Sequence, residues 1–178
     1  MTAPSLTLAQ INQMTASDFS QAFGRVFEHS GWIAERAFTA RPFATVDDLH
    51  GAMRSAVLAA SEVEQLALLR AHPALAGREA QSGTLTAESA GEQAGAGLNA
   101  LSSAEMARVA QLNAAYATRF GHPFIIAVRL NNKETIFSEF ERRLAQDAAT
   151  EQRACLDQVF LITSLRLRDL VAQSAASA

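Results

Sequence analysis

A single cysteine, Cys155, occurs in 178 residues. The chain can therefore close no internal disulfide, and a reducing compartment, the cytoplasm, is expected. No apolar run approaches the roughly 20 residues that a bilayer-spanning helix needs. The opening MTAPSLTLAQ lacks the basic start and long apolar core of a signal peptide. The closing SAASA reads as a frayed tail without a peroxisomal Ser-Lys-Leu ending. Surplus charge is missing too: the formal net charge is −3, which gives no general attraction to nucleic acid or to acidic membranes. There is no cysteine pair and no His-Glu-x-x-His spacing, so no metal site is expected. Alternating strand pairs and hairpin turns are also absent.

What remains is a helical pattern. Hydrophobic residues make up 49% of the chain and charged residues 19%, the balance of a folded globule with its own core. Helix starts are signalled by Thr15 with Asp18, Thr45 with Asp48, Ser61 with Glu64, and Ser102 with Glu105, each a short polar residue followed three positions on by an acid. Apolar stripes follow these starts: Phe19, Ala22, Phe23, Val26 and Phe27; Leu49, Met53 and Val57; Val63, Leu66 and Leu69; Val109, Leu112 and Tyr116. Ile136, Phe137, Phe140 and Leu144 mark one more helix, and a last one runs from about Thr150 to Val171. Pro73 ends the helix before it at about His72. Gly77 to Thr84 reads as a polar loop. Phe124 to Leu130 is a short apolar run compatible with strand or helix. The reading is all-α: a single compact domain of about eight helices spanning residues 1–178, without internal repeat or linker.

Three places stand out chemically. His72 is a titratable ring at a helix exit, pinned by Pro73. The competing reading is a solvated C-cap histidine helped by the helix dipole. In the following helix Ser89, Glu92, Gln93 and Ala96 share one side by their spacing. Ser89 and Glu92 also read as an N-cap and its partner, although Thr84 and Thr86 offer earlier caps. Gly91, Gly95 and Gly97 each cost about 1 kcal/mol inside a helix, so close approach by another helix or a ligand is expected there. Gly95-Ala-Gly97-Leu-Asn-Ala100 has no preceding strand and is no dinucleotide fingerprint. Arg166 continues the apolar stripe of Cys155, Val159 and Ile162. That points a guanidinium inward, where it needs an anionic partner, either a ligand or a structural carboxylate. His29 and His50 read as exposed helix residues.

Taken in order, His72-Pro73 with Leu75-Ala76-Gly77, Ser89-x-x-Glu92-Gln93-x-x-Ala96-Gly97-Leu98, Asn113-x-x-Tyr116-x-x-x-Phe120-Gly121-His122-Pro123-Phe124-Ile125 and Ile162-x-x-Leu165-Arg166-Leu167 resemble the 2-oxo-4-hydroxy-4-carboxy-5-ureidoimidazoline (OHCU) decarboxylases of urate breakdown. The match covers about the last two-thirds of the chain. The resemblance implies an all-helical homodimer that decarboxylates a small-molecule substrate to (S)-allantoin without cofactor or metal, and that engages neither nucleic acid nor membrane. It implies that His72 is the acid-base residue and that Glu92 and Arg166 complete the catalytic set. Pro73, Ser89, Gln93 and the backbone of Phe124, Ile125, Ile126, Ala127 and Val128 are the implied substrate contacts. One departure is His122, where many members have Phe; it brings a second imidazole whose role the resemblance leaves open.

Overall fold

Short polar side chains start most of the helices by satisfying backbone donors that a helix cannot satisfy itself. In the computed structural model, which describes residues 6–172, Thr45 Oγ1 accepts the Asp48 N–H (3.0 Å) while Asp48 accepts the Thr45 N–H (2.9 Å). Ser61 with Glu64 and Ser102 with Glu105 repeat this reciprocal pattern. Each such cap contributes about 1 kcal/mol. The SAASA tail and the first five residues of the expected non-signal N-terminus lie outside the described residues.

The described residues form ten α-helices: α1 (Leu8–Gln13), α2 (Ala16–Phe23), α3 (Trp32–Ala37), α4 (Val46–Leu58), α5 (Glu62–Arg70), α6 (Arg78–Ser82), α7 (Ala87–Gly95), α8 (Ser103–Phe120), α9 (Lys133–Leu144) and α10 (Ala148–Leu170). Single 3-10 turns occupy Phe38–Ala40 and Val128–Leu130. The only β pairing among them is one isolated parallel bridge, Leu6 to Val171. The fold is all-α, as the periodicity indicates. The count exceeds eight partly because the expected polar loop at 77–84 contains α6, a five-residue helix closed by Gly83 in the left-handed region (φ 70°).

The chain divides into two compact units. The first comprises 6–68 and 163–172. Its core is aromatic: Phe19 lies 4.8 Å from Phe23, 5.6 Å from Phe38 and 6.2 Å from Phe43, centroid to centroid. Burying Phe19, Phe23 and Phe43 stabilises the fold by about 1.5–3 kcal/mol each. Helices α3 and α4 pack together beside it. Asn12 joins two segments by donating to the Phe43 carbonyl and accepting the Phe43 N–H, both at 2.8 Å. His50 is half-buried, not exposed, and shares a 3.0 Å hydrogen bond with Thr163 Oγ1. His29 is exposed but stands in a turn with φ 47°.

The second unit is Leu69–Ile162. Helices α8 and α9 pack together, and α7 packs on the Val128–Leu130 turn. Phe124 and Phe140 stack at 4.0 Å, and the buried Tyr116 meets both rings edge-on. The stripe expected in α5 is buried only in part: Leu69 is fully buried and Leu66 half-buried, but Val63 is 76% exposed, and Leu68, off that stripe, is fully buried.

Candidate active site

The second unit gathers most of the residues singled out by sequence. His72 follows the last turn of α5, its N–H donating to the Leu69 carbonyl at 3.2 Å, and it is only 8% exposed. That burial rules out the solvated-cap reading. The corner that follows it is anchored by side chains from three helices. Asn113 of α8 donates to the Leu75 carbonyl (2.9 Å), Gln93 of α7 accepts the Ala76 N–H (2.9 Å), and Gln81 of α6 donates to the Ala76 carbonyl (3.2 Å). These bonds hold Ala76 at φ 47°, a conformation that costs a non-glycine residue about 1–3 kcal/mol. Gly77 completes the corner: a Cβ there would lie 2.9 Å from Ala74 Cβ and 3.0 Å from its carbonyl oxygen. Asn113 Oδ1 is buried and has no protein partner among the described residues.

Helix α7 is capped by Thr86, whose side chain accepts the Ser89 N–H at 3.3 Å. Ser89 is therefore an interior residue of the helix and not its cap. Ser89 and Gln93 are buried on the same face, with Glu92 half-buried between them in sequence. No other helix approaches closely at the glycines: a Cβ at Gly91, Gly95 or Gly97 would meet no protein atom within 4 Å among the described residues. Because α7 packs on the Val128–Leu130 turn and Gln93 holds Ala76, one helix links the His72 corner to the end of the 124–128 stretch.

That stretch is neither strand nor helix over 124–127. Phe124, Ile125, Ile126, Ala127 and Val128 are all buried, so their backbone polar groups need partners other than a ladder. Arg143 Nη1 donates to the Ile125 carbonyl (2.7 Å), Gln158 Oε1 accepts the Ala127 N–H (2.9 Å), and Asn131 Nδ2 donates to the Ala127 carbonyl (2.9 Å).

Arg143 belongs to a buried network that the sequence reading missed. Its Nε and Nη2 donate to Glu151 Oε1 at 3.0 and 2.5 Å, and Nη2 also contacts Cys155 Sγ at 3.1 Å. The Tyr116 hydroxyl donates to Glu151 as well. Arg143 is 2% exposed, and Glu151, Tyr116 and Cys155 are fully buried. Burial raises the Tyr116 hydroxyl well above its usual range, reinforced by the neighbouring Cys155 and Glu151. Burial likewise pushes the Cys155 thiol up to about 11. A signal existed for Glu151, which stands four positions before Cys155 on the apolar stripe of α10. Arg143, three after Phe140, is buried in place of Leu144, which is only half-buried.

His122 joins this network's aromatic rim. It meets Tyr116 edge-on at 5.7 Å, stacks on Phe120 at 6.1 Å, and its Nδ1 lies 2.9 Å from the Pro123 carbonyl. Burial holds its pKa below the usual 6.5. The adjacent Gly121 carbonyl accepts from Arg70 Nε at 2.9 Å.

Arg166 belongs to the first unit. It is 5% exposed, and Nη1 donates to Glu28 Oε2 at 2.9 Å and to the Val26 carbonyl at 3.3 Å. The inward guanidinium thus has the anionic partner its position requires. Glu28, 138 residues away in sequence, is itself 2% exposed.

A family model described as OHCU decarboxylase matches residues 12–168. A 2-oxo-4-hydroxy-4-carboxy-5-ureidoimidazoline decarboxylase of Haloferax volcanii is 44% identical over 164 residues, covering 92% of this chain and 95% of that one. A protein of the same name from Amia calva is 38% identical, covering 93% and 95%. Among solved structures, a crystal structure of (S)-allantoin synthase superposes with TM-score 0.79 at 28% identity, over 96% of this chain and 56% of that one.

Proposed function

The chain belongs to the OHCU decarboxylase family, and from that premise we propose how its side chains perform the reaction. It is a carboxy-lyase of urate degradation that converts 2-oxo-4-hydroxy-4-carboxy-5-ureidoimidazoline to (S)-allantoin.

The chemistry is set by the substrate. When the carbon–carbon bond to the carboxylate breaks, its electron pair enters the neighbouring ring C=N, so the substrate supplies its own electron sink. The ring nitrogen that receives the pair takes up a proton from solvent; the ring hydroxyl then loses a proton as its carbon becomes a carbonyl, and the carbon bearing the ureido arm gains one. One proton leaves oxygen and one reaches carbon from a single face. The protein therefore has to orient the carboxylate, stabilise developing charge and manage two proton positions.

His72 is the residue for that work. An imidazole exchanges protons near neutrality, and this one is buried at a corner held by Gln81, Gln93 and Asn113. That fixed, water-poor position is the observation that carries the proposal. Glu92 orients the imidazole or accepts from the substrate hydroxyl. Ser89, Gln93, Pro73 and the 124–128 backbone contact the ureido arm and ring carbonyls. Gln93 Oε1 is committed to Ala76, so its amide N–H group is the part offered to substrate. We further propose that the chain works as a cytoplasmic homodimer of single-domain protomers; light scattering in solution at twice 19.0 kDa is the expected mass.

The test is an optical one. Freshly generated substrate decays spontaneously to racemic product, whereas the enzyme yields one enantiomer. His72→Asn is expected to lose about 10²- to 10⁴-fold in turnover while keeping the wild-type circular dichroism of the fold. Near-wild-type formation of a single enantiomer by that variant removes His72 from the role.

A further inference from the structure

The second unit contains polar groups that the reaction scheme does not use: the buried Arg143–Glu151 pair and the half-buried Gln158. Their targets are two neighbouring peptide planes. A trans peptide is planar, with its C=O and N–H pointing in opposite directions. Arg143 Nη1 takes the Ile125 carbonyl at 2.7 Å, so the other end of that plane, the Ile126 N–H, faces away from Arg143. Gln158 Oε1 takes the Ala127 N–H at 2.9 Å, so the other end of the next plane, the Ile126 carbonyl, faces away from Gln158. Ile126 is 5% exposed, and neither its N–H nor its C=O takes a protein partner among the described residues. Buried backbone groups are otherwise almost always paired. Arg143 is itself fixed by Glu151 at 2.5 Å and by the face of Phe124, 4.6 Å from its ring centroid. Asn131 and the Leu130 N–H hold the Ala127 carbonyl, both at 2.9 Å, which closes the far side.

We infer that Arg143 and Gln158 are positioning residues: each grips one end of a peptide plane and thereby aims the Ile126 N–H and C=O at the substrate. A donor and an acceptor on one residue match a ureido or ring amide, which carries a carbonyl beside an N–H. The inference rests on the reading that the 124–128 backbone contacts substrate and explains how that contact is set.

Gln158 is the practical handle, because it is only half-buried and its loss leaves the ion pair intact. Gln158→Leu removes the acceptor at similar volume. Its KM is expected to rise about tenfold with kcat within about threefold, the pattern of a lost binding contact. Gln158→Glu keeps an acceptor oxygen and is expected to stay within about threefold of wild type on both constants. Arg143→Lys keeps the charge facing Glu151 but not the fork, and is expected to raise KM in the same way. The backbone amide signals of Ile126 and Ala127 in wild-type protein titrated with allantoin supply the control. If neither signal moves, the 124–128 contact itself is wrong. If they move and Gln158→Leu leaves KM unchanged, the positioning role is overturned. It is equally overturned if Gln158→Leu lowers kcat and melting temperature together and Gln158→Glu does not restore them.

Discussion

The two single changes that break the Arg143–Glu151 pair should together cost more than deleting both partners at once. Glu151→Leu leaves a guanidinium that is 2% exposed without its counter-ion, and Arg143→Met strands a carboxylate that is fully buried. Removing one member of a buried pair costs about 3–5 kcal/mol, so the two single changes sum to about 6–10 kcal/mol. The double variant carries no stranded charge. What it leaves behind are the Ile125 carbonyl, which loses Arg143, and the Tyr116 hydroxyl, which loses Glu151. An unmatched buried polar group costs about 1–3 kcal/mol, giving about 2–6 kcal/mol in all. The double variant is therefore expected to be more stable than the sum of the singles by about 4 kcal/mol, above the coupling usual for residues in direct contact. For a chain of 178 residues, each single change should lower the melting temperature by about 6–20 °C, at roughly 2–4 °C per kcal/mol. Urea unfolding followed by far-ultraviolet circular dichroism gives the four stabilities, and a constant slope against denaturant shows that the transitions are comparable. Single variants costing less than about 1 kcal/mol, or a strictly additive double, would refute the reasoning.

Two further outcomes follow from local geometry. Because burial holds the His122 pKa below 6.5, the unfolded chain takes up a proton that the folded chain refuses. Stability from this group is thus complete above about pH 6.5 and is lost as pH falls toward the lower folded value. His122→Phe should flatten that loss, so wild type should drop more than the variant in melting temperature between pH 7 and pH 5; equal drops would contradict it. Gly121 closes α8 at φ 73°, so Gly121→Ala should cost about 1–2 kcal/mol for the left-handed backbone, measured by chemical denaturation, and an unchanged midpoint would count against it.

The helix starts were legible because they are local. Thr45 with Asp48, Ser61 with Glu64 and Ser102 with Glu105 declare themselves within four residues, and all three are reciprocal caps in the structure. The inward turn of Arg166 was legible from the stripe it continues, but Glu28 was not, because no periodicity reaches across 138 residues. Arg143 and Glu151 were passed over for a different reason: Leu144 already completed the α9 stripe beside Arg143, and Glu151 lies in the first turn of α10, where an acid is accounted for by the helix dipole. The region 124–130 stayed ambiguous because the Ile125 carbonyl and both Ala127 backbone groups bond to side chains, Arg143, Gln158 and Asn131, which leave no period to read. Helix α6 was hidden because Arg78–Ser82 buries no residue and so has no apolar face.

The placement of Cys155 bears on where such a chain can operate. Its sulfur is enclosed by Tyr116, Arg143 and Glu151, and oxidants attack thiolates that they can touch. In the folded protein the thiol is both protonated and out of reach. Peroxide in the surroundings therefore finds no sulfenic-acid chemistry to start here, and the protein needs no external reductant to protect its one thiol while it stays folded.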